Sequence, residues 1–242
     1  MWFGGFAMEG QRQVLVLGDS ILKGVQVDPE TKKYVTRNDI DVPALEQRFG
    51  LQVRNDSHFG ATVDKGKRLL DRLLNRQVSC EYLVMDFGGN DCNLRWDEVA
   101  QRPADEHLPS VPLADFVERY REMVRAVKAA GIKPILTTLP PLMPQRFFNW
   151  WCQGLDQSAI MSWLGDVNNI YAWQENYSRA VERLAAAEGA LLVDLRGAFL
   201  DHGHIEELMC EDGTHPNSAG QALITKAFRS FAEERELLRQ SA

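Results

Sequence analysis

The chain of 242 residues is 45% hydrophobic and 25% charged, proportions that are ordinary for a globular protein and exclude disordered and fibrous classes. Its formal net charge of −7 argues against a nucleic-acid-binding surface, which is normally basic. A chain of this length buries roughly 70% of its unfolded surface in one core. We therefore expect a single domain over residues 1–242.

The sequence also predicts the cellular location of the protein. No apolar stretch reaches transmembrane length, and the first ten residues lack the basic start and apolar run of a signal peptide. The four cysteines are widely spaced, with no Cys-x-x-Cys pair. We expect free thiols, no membrane span and a cytoplasmic location.

The first predicted element is a strand at 14–17, followed by Gly18, Asp19 and Ser20. Four consecutive apolar residues of this kind favour a strand buried on both faces of a parallel sheet. The following turn leaves Ser20 at the carboxyl end of the strand, where we expect a helix to begin. A serine there is suited to be a nucleophile, and the alternative is a helix N-cap.

Strands and helices alternate along the rest of the chain. Further strands are predicted at 51–55, 82–87, 132–139 and 190–194, and helices at 42–49, 63–75, 113–130, about 172–188 and 218 to about 238. We expect a loop or short irregular helix at 25–41, a long connection at 93–112 and a loop at 196–213. The alternation predicts a three-layer α/β/α domain with a parallel, doubly wound sheet.

An aromatic-rich insertion is predicted at about 142–173. It contains four of the six tryptophans, which are Trp150, Trp151, Trp163 and Trp173. The density of aromatic residues predicts a pocket wall or lid over the site, or a subunit interface that makes a homo-oligomer. The simpler alternative is that these rings are core.

A general base is predicted near the end of the chain. A serine hydroxyl needs a histidine to accept its proton and an acid to fix the histidine tautomer. In Asp212-Gly-Thr-His215, a tight turn before the last helix would bring the carboxylate against the imidazole. The pair therefore predicts the base and its orienting acid.

A rival pair, Asp201 and His204, has the same spacing. It lies in a predicted loop with no helix start behind it, so we interpret it as solvated surface. A metal site made from His202, His204 and Glu206 is a weaker alternative, because histidine-rich loops match such patterns by chance.

Acyl transfer from serine also needs donors for the oxyanion. Three candidates lie at predicted strand ends: the backbone N–H groups of Ser20 and Gly60 and the side-chain amide of Asn90. The alternative for Gly88-Gly89-Asn90-Asp91 is an ordinary turn.

Together these blocks form an ordered set. They are Gly18-Asp19-Ser20, Gly60, Gly88-x-Asn90-Asp91 and Asp212-x-x-His215, and they resemble the SGNH, or GDSL, hydrolase superfamily over about residues 14–220. The resemblance implies a flavodoxin-like fold with a five-stranded parallel sheet in the order 2-1-3-4-5, and no cofactor or metal. It also implies Ser20 as nucleophile, His215 as base, Asp212 as orienting acid, and Ser20, Gly60 and Asn90 as oxyanion hole. Two departures are Ile21, where the family usually has leucine, and the length of the insertion.

The sequence therefore predicts a serine hydrolase that cleaves carboxylic esters through an acyl-enzyme. Its partner would be a small-molecule ester such as a lipid, a thioester or an acylated sugar, and not a nucleic acid. An acyltransferase using the same acyl-enzyme and a non-catalytic binding module on the same scaffold are the alternatives. The chain contains no Gly-x-Ser-x-Gly, so an α/β-hydrolase nucleophile elbow is not supported.

Overall fold

The computed structural model describes residues 12–37 and 39–240, with side chains described up to Arg235. The first ten residues, for which the sequence predicts no signal peptide, lie outside the described residues.

The described residues form the strands and helices whose bounds follow. The strands are β1 (Arg12–Gly18), β2 (Val25–Val27), β3 (Tyr34–Thr36), β4 (Leu51–Asn55), β5 (Tyr82–Asp86), β6 (Lys133–Thr137) and β7 (Leu191–Val193). The helices are α1 (Val42–Phe49), α2 (Val63–Asn75), α3 (Trp96–Gln101), α4 (Leu113–Ala129), α5 (Pro144–Trp151), α6 (Gln157–Leu164), α7 (Asn168–Glu188), α8 (Leu195–His202), α9 (Ile205–Leu208) and α10 (Ser218–Gln240).

The main sheet has five parallel strands in the order β4-β1-β5-β6-β7. This is the order 2-1-3-4-5 when only the sheet strands are counted, so the predicted fold class is confirmed. Strand β1 lies between β4 and β5, with Val16 paired to Asn55 on one side and Val84 on the other. Its carboxyl end is therefore near the middle of the sheet edge.

Helices cover both faces of the sheet. Leu15 and Leu17 of β1 pack into a core shared with α2, α4 and α7, whereas Val16 packs into a second core shared with α8 and α10. Because side chains alternate across a strand, the continuous apolar run fills both cores. Helix α1 lies beside α10 on the second face.

Local signals set the helix ends. The Asp41 side chain accepts a hydrogen bond from the Ala44 N–H at the start of α1, and Gly50 adopts the left-handed conformation at its end. These are the expected N-cap and C-cap residues. Within the described residues, no helix is both long and apolar enough to cross a bilayer.

The prediction of a helix directly after Ser20 is wrong. Residues 20–24 make one turn, in which the Lys23 N–H donates to the Asp19 carbonyl, and an antiparallel hairpin of β2 and β3 follows. Gly24 has φ +77°, and a Cβ there would lie 2.3 Å from the Arg37 carbonyl oxygen. The glycine therefore ends the turn and allows β3 to lie close, so residues 25–36 of the predicted loop or irregular helix form a hairpin.

Three other regions contain more helix than predicted. The connection at 93–112 includes α3, the predicted loop at 196–213 holds most of α8 and all of α9, and α7 begins at Asn168 rather than near 172. Helix α3 forms because Trp96 and Val99 are buried against the insertion. Helix α8 is capped by the Asp194 side chain, which accepts from the Gly197 N–H.

The aromatic-rich region is partly core. Helices α3, α5, α6 and the first turn of α7 build a third apolar cluster, whose members include Trp96, Leu142, Phe147, Phe148 and Ile160. Trp150 and Trp151 are only half-buried. The core alternative thus accounts for much of the region, including Trp151, which packs against this cluster through Phe147.

Candidate active site

Three predicted residues form one hydrogen-bonded chain at the carboxyl edge of the sheet. The Ser20 Oγ lies 2.9 Å from His215 Nε2, and His215 Nδ1 lies 2.5 Å from Asp212 Oδ2. All three side chains are buried. The fold thus brings together residues 195 positions apart in sequence.

The Asp212–His215 turn is built by its own carboxylate. Asp212 Oδ1 accepts from the N–H groups of Thr214 and His215 at 3.0 and 3.1 Å. Gly213 has φ +70°, and a Cβ there would lie 2.6 Å from the Met143 carbonyl oxygen. Only glycine therefore fits where the segment before α5 packs against this turn, which fixes the imidazole relative to Ser20.

The charge on Asp212 sets the histidine tautomer. Burial by itself would raise the pKa of Asp212, but hydrogen bonds from His215 and from two backbone N–H groups lower it below its usual value. The ionised carboxylate accepts a hydrogen bond from the Nδ1–H of His215, so Nε2 is left as the acceptor facing the Ser20 hydroxyl. This is the arrangement that general-base activation of a serine requires.

The candidate oxyanion donors lie on three neighbouring loops. The His58 N–H donates to the Gly18 carbonyl at 2.9 Å, which holds the Gly60 loop along the end of β1. Gly60 has φ +69°. Among the described residues, no group accepts a hydrogen bond from the backbone N–H of Ser20 or Gly60. Both donors are therefore available to a ligand.

The third candidate, the Asn90 amide, already has two partners. Its Nδ2 donates to Asp19 Oδ2 at 3.0 Å and to the Ala61 carbonyl at 3.1 Å. These bonds fix the amide between the serine turn and the Gly60 loop. To bind an oxyanion, the amide must share or exchange one of these two acceptors.

The model of the GDSL-like Lipase/Acylhydrolase family matches residues 16–223, a span that contains all of these side chains. The chain belongs to this family. The family assignment makes the protein a carboxylic ester hydrolase by class, as the sequence predicts. No curated protein sequence matches this GDSL-family chain.

Solved structures share the GDSL-family fold at low sequence identity. A lipase/acylhydrolase from Enterococcus faecalis is 22% identical with a TM-score of 0.63, covering 93% of this chain and 97% of its own. A variant of an acetylxylan esterase from Geobacillus stearothermophilus is 20% identical with a TM-score of 0.64, covering 93% and 96%. The esterase EstA from a Pseudoalteromonas species is 17% identical with a TM-score of 0.60, covering 93% and 98%.

Sequence reasoning missed a cluster of buried carboxyl groups beneath the serine. Burial, and then the neighbouring Asp86 and Asp91, hold the pKa of Asp19 well above its usual value. Burial also raises the pKa of Asp86 to about 6 and that of Asp91 to about 7. Asp91 Oδ1 accepts from the Val63 N–H at 2.9 Å and so caps α2. The sequence signal is an aspartate at the end of a buried strand, which by itself says nothing about its neighbours.

A second missed feature is an aromatic wall beside His215, which we define as Tyr34, Phe59, Trp150 and Trp151. The Tyr34 ring lies 5.3 Å from the imidazole, and the Phe59 ring stacks on it at 6.0 Å and 14°. Trp150 Nε1 donates to the Tyr34 hydroxyl at 3.0 Å. The β2–β3 hairpin and helix α5 therefore meet at the site, which no periodicity in either segment indicates.

Two cavities differ in their relation to this site. One of about 40 Å³ lies between the 88–93 turn and helices α3, α5 and α7, and Gly89 and Thr214 line its side nearest Asn90 and His215. A larger apolar cavity of about 420 Å³ lies between the sheet and helices α1 and α10, and it is lined by Arg12 and Lys133 at the amino ends of their strands. Ser20, Asn90 and His215 line neither of these two cavities, and the smaller one is lined by Gly89 and Thr214, which precede Asn90 and His215 in the sequence.

The rival residues lie elsewhere. The His204 side chain is 75% exposed and lies 3.5 Å from Glu206, and His202 contacts the Gly203 carbonyl. Across the described ranges 12–37 and 39–240, no group of three or more His, Cys, Asp or Glu side chains is placed to hold a metal ion. The partner of Ser20 in the structure is His215 and not His204.

Proposed function

We propose that this protein hydrolyses carboxylic esters through an acyl-enzyme on Ser20, with His215 as general base and Asp212 as its orienting acid. The observation that carries the proposal is the continuous chain from Ser20 Oγ to His215 Nε2 and from Nδ1 to a buried, ionised Asp212. This series of hydrogen bonds gives Ser20, a weak nucleophile, a histidine base whose tautomer is fixed.

The reaction proceeds in two halves. Ser20 Oγ attacks the ester carbonyl carbon as its proton moves to His215 Nε2, and the carbonyl oxygen becomes an oxyanion. When the tetrahedral intermediate collapses, the imidazolium gives this proton to the departing alcohol. Water then attacks the acyl carbon as His215 Nε2 takes its proton, and this proton passes to Ser20 Oγ when the bond between Oγ and the acyl carbon breaks and the acid is released. Asp212 stays ionised throughout and stabilises the transient imidazolium.

The oxyanion is stabilised by the N–H groups of Ser20 and Gly60 and by the Asn90 amide. Gly60 supports this role because its φ of +69° and the open space around a Cβ position let a ligand approach the backbone. Asn90 exchanges its hydrogen bond to the Ala61 carbonyl for one to the oxyanion, while its second amide N–H continues to donate to Asp19 Oδ2. A donor gained only as charge develops lowers the barrier without tightening substrate binding.

We propose that the acyl group points towards the cavity of about 40 Å³ that is lined by Gly89 and Thr214, the residues before Asn90 and His215 in the sequence. This volume fits an acetyl group and its nearest homologues rather than a long chain. The acetylxylan esterase among the similar structures is in keeping with a short acyl group.

Labelling and a panel of esters test the proposal. A fluorophosphonate should label Ser20 in the wild-type protein and leave Ser20→Ala unlabelled. With nitrophenyl esters, kcat/KM should be highest for the shortest acyl chains, and Ser20→Ala should lower kcat by about 10⁴-fold or more. Because Ser20→Ala removes one hydrogen bond, its stability should fall by only about 0.5–1.5 kcal/mol. Wild-type turnover in Ser20→Ala would refute the proposal.

A further inference from the structure

The two faces of the sheet carry side chains of different size. Towards α2, α4 and α7 the strands present long side chains such as Leu17, Leu83 and Met85. Towards α1 and α10 they present valine at four positions, which are Val14, Val16, Val53 and Val84. The shorter side chains leave the cavity of about 420 Å³ between the sheet and these two helices. Its volume lies in the range of small-molecule sites, which is about 300–1,000 Å³.

This cavity runs along the strands and is separate from the catalytic residues. Arg12 lines it at the start of β1, and Val16 lines it further along the same strand. At about 3.3 Å per residue these two positions are about 13 Å apart, which is similar to the length of an extended decanoate molecule. Leu22 and Asn55 line the end nearer the carboxyl edge of the sheet.

The interior of the cavity is apolar. Its lining between the two ends consists of aliphatic and aromatic side chains, among them Leu45, Phe49, Ile135 and Phe228. The Asn55 amide already donates to the Leu22 carbonyl at 2.7 Å. A sugar or a nucleotide would lose the hydrogen bonds of its polar groups in such surroundings, whereas an alkyl chain has none to lose. The interior therefore fits an alkyl chain.

The amino edge of the sheet supplies positive charge to the cavity. Arg12, Lys133 and Arg235 line it there, and none of the described residues in its lining is acidic. Lys133 Nζ pairs with Glu81 at 3.1 Å and would be shared with a ligand. The Arg235 guanidinium lies over the Phe231 ring, 5.5 Å from its centroid, so the N–H groups at its edge can bind a carboxylate. In a chain of net charge −7, this local excess of cations favours an anionic head group.

We propose that the cavity binds a straight-chain aliphatic carboxylate. The alkyl chain lies along the valines of the sheet, and the carboxylate lies at the amino edge among Arg12, Lys133 and Arg235. The ligand is bound away from Ser20 and is not the ester that the catalytic residues cleave. The inference is therefore independent of the proposed function.

Calorimetric titration of decanoate tests where the ligand binds. Ala232 lines the cavity from α10, so the indole of Ala232→Trp should occupy part of it. Displacement of about two methylene groups is enough to weaken decanoate binding about tenfold, and we expect at least this loss. Ala222→Trp is the matched control, because it makes the same substitution at an exposed position of α10 outside the cavity. It should bind decanoate as the wild type does.

The head group is tested with three probes of equal chain length, which are decanoate, decanol and decyltrimethylammonium. Decanoate should bind most tightly and the cation most weakly. Arg235→Gln should weaken decanoate binding about two- to fivefold, the range for an exposed ion pair, and leave decanol binding unchanged. Arg229→Gln is the control, because Arg229 is exposed on α10 and does not line the cavity. Equal affinity for all three probes would overturn the carboxylate assignment.

NMR of valine methyl groups locates the ligand in the wild-type protein, and so keeps the test valid if Ala232→Trp does not fold. Decanoate should cause saturable shifts at Val53 and Val84, whose signals are assigned with Val53→Ile and Val84→Ile. Binding without shifts at these valines, or no saturable binding at all, would overturn the proposal. Absence of binding together with a dimer mass in light scattering that Ala232→Trp abolishes would overturn it in favour of a second copy of the chain on this face.

Discussion

Replacement of Asn90 by alanine separates transition-state stabilisation from substrate binding. The amide donates to Asp19 and Ala61, and we expect it to turn to the oxyanion only as negative charge develops. Loss of one such donor should lower kcat by about 10²–10³, equivalent to about 2.7–4 kcal/mol, and leave KM nearly unchanged. The assay is steady-state hydrolysis of nitrophenyl acetate at substrate concentrations above and below KM.

The same substitution also has a structural cost, which must be measured separately. Two hydrogen bonds are lost, each contributing about 0.5–1.5 kcal/mol, so the free energy of unfolding should fall by up to about 3 kcal/mol. Asn169→Ala is a useful control, because its amide donates to the Leu164 carbonyl outside the site. It should lose some stability and keep its kcat. A rise in KM with unchanged kcat in Asn90→Ala would refute the oxyanion role.

Two further predictions concern protons. His215→Ala should reduce kcat nearly as much as loss of the nucleophile, because the effects of removing members of one catalytic unit are not additive. His204→Ala should leave kcat nearly unchanged. The reverse result in steady-state kinetics would make His204 the base. Burial raises the pKa of Asp91 to about 7 in the folded chain, so its contribution to stability is complete below its unfolded pKa of about 4 and is lost as pH rises towards 7. Between pH 5 and pH 8 the wild type should lose about 3 kcal/mol of its free energy of unfolding from this group, which denaturant unfolding at the two pH values measures. The difference between the two pH values should be smaller by this amount in Asp91→Asn. It should be unchanged in Asp201→Asn, whose carboxyl group is exposed.

The elements that could be predicted from sequence are those whose signals are local. Helices α1 and α2 lie where the sequence predicts them. Asp41 caps the start of α1 and Gly50 its end, and α2 has a continuous apolar face. Most strands of the sheet are recognisable as short apolar runs, whereas β4, which reads Leu-Gln-Val-Arg-Asn, alternates apolar and polar residues. Their order was available only through the resemblance to a family, since the pairing of β1 with β4 and β5 leaves no local pattern.

The errors arise where tertiary contacts outweigh local preference. The hairpin strands have only three residues each and are flanked by polar residues, so the sequence of 25–27 and 34–36 does not indicate a hairpin. The two strands pair where Gly24 lies close to the Arg37 carbonyl. Helix α3 exists because Trp96 is buried by residues more than 40 positions later in the chain, such as Phe147. Such contacts have no sequence signal of their own.

The catalytic residues and the surfaces around them are held by different kinds of contact, so we expect their variants to behave differently. The turns that carry Ser20, Asp212 and His215 are closed by hydrogen bonds that span two or three residues, such as those from Ile21 to Asp19 and from His215 to Asp212, and Met143 is the distant residue that packs against Gly213. The aromatic wall and the small cavity are held by contacts between distant segments. Changes in the turns should therefore alter the rate of the chemical step for every ester. Changes in the distant segments should alter which ester is preferred, because they move the surfaces around the reacting atoms and leave those atoms in place.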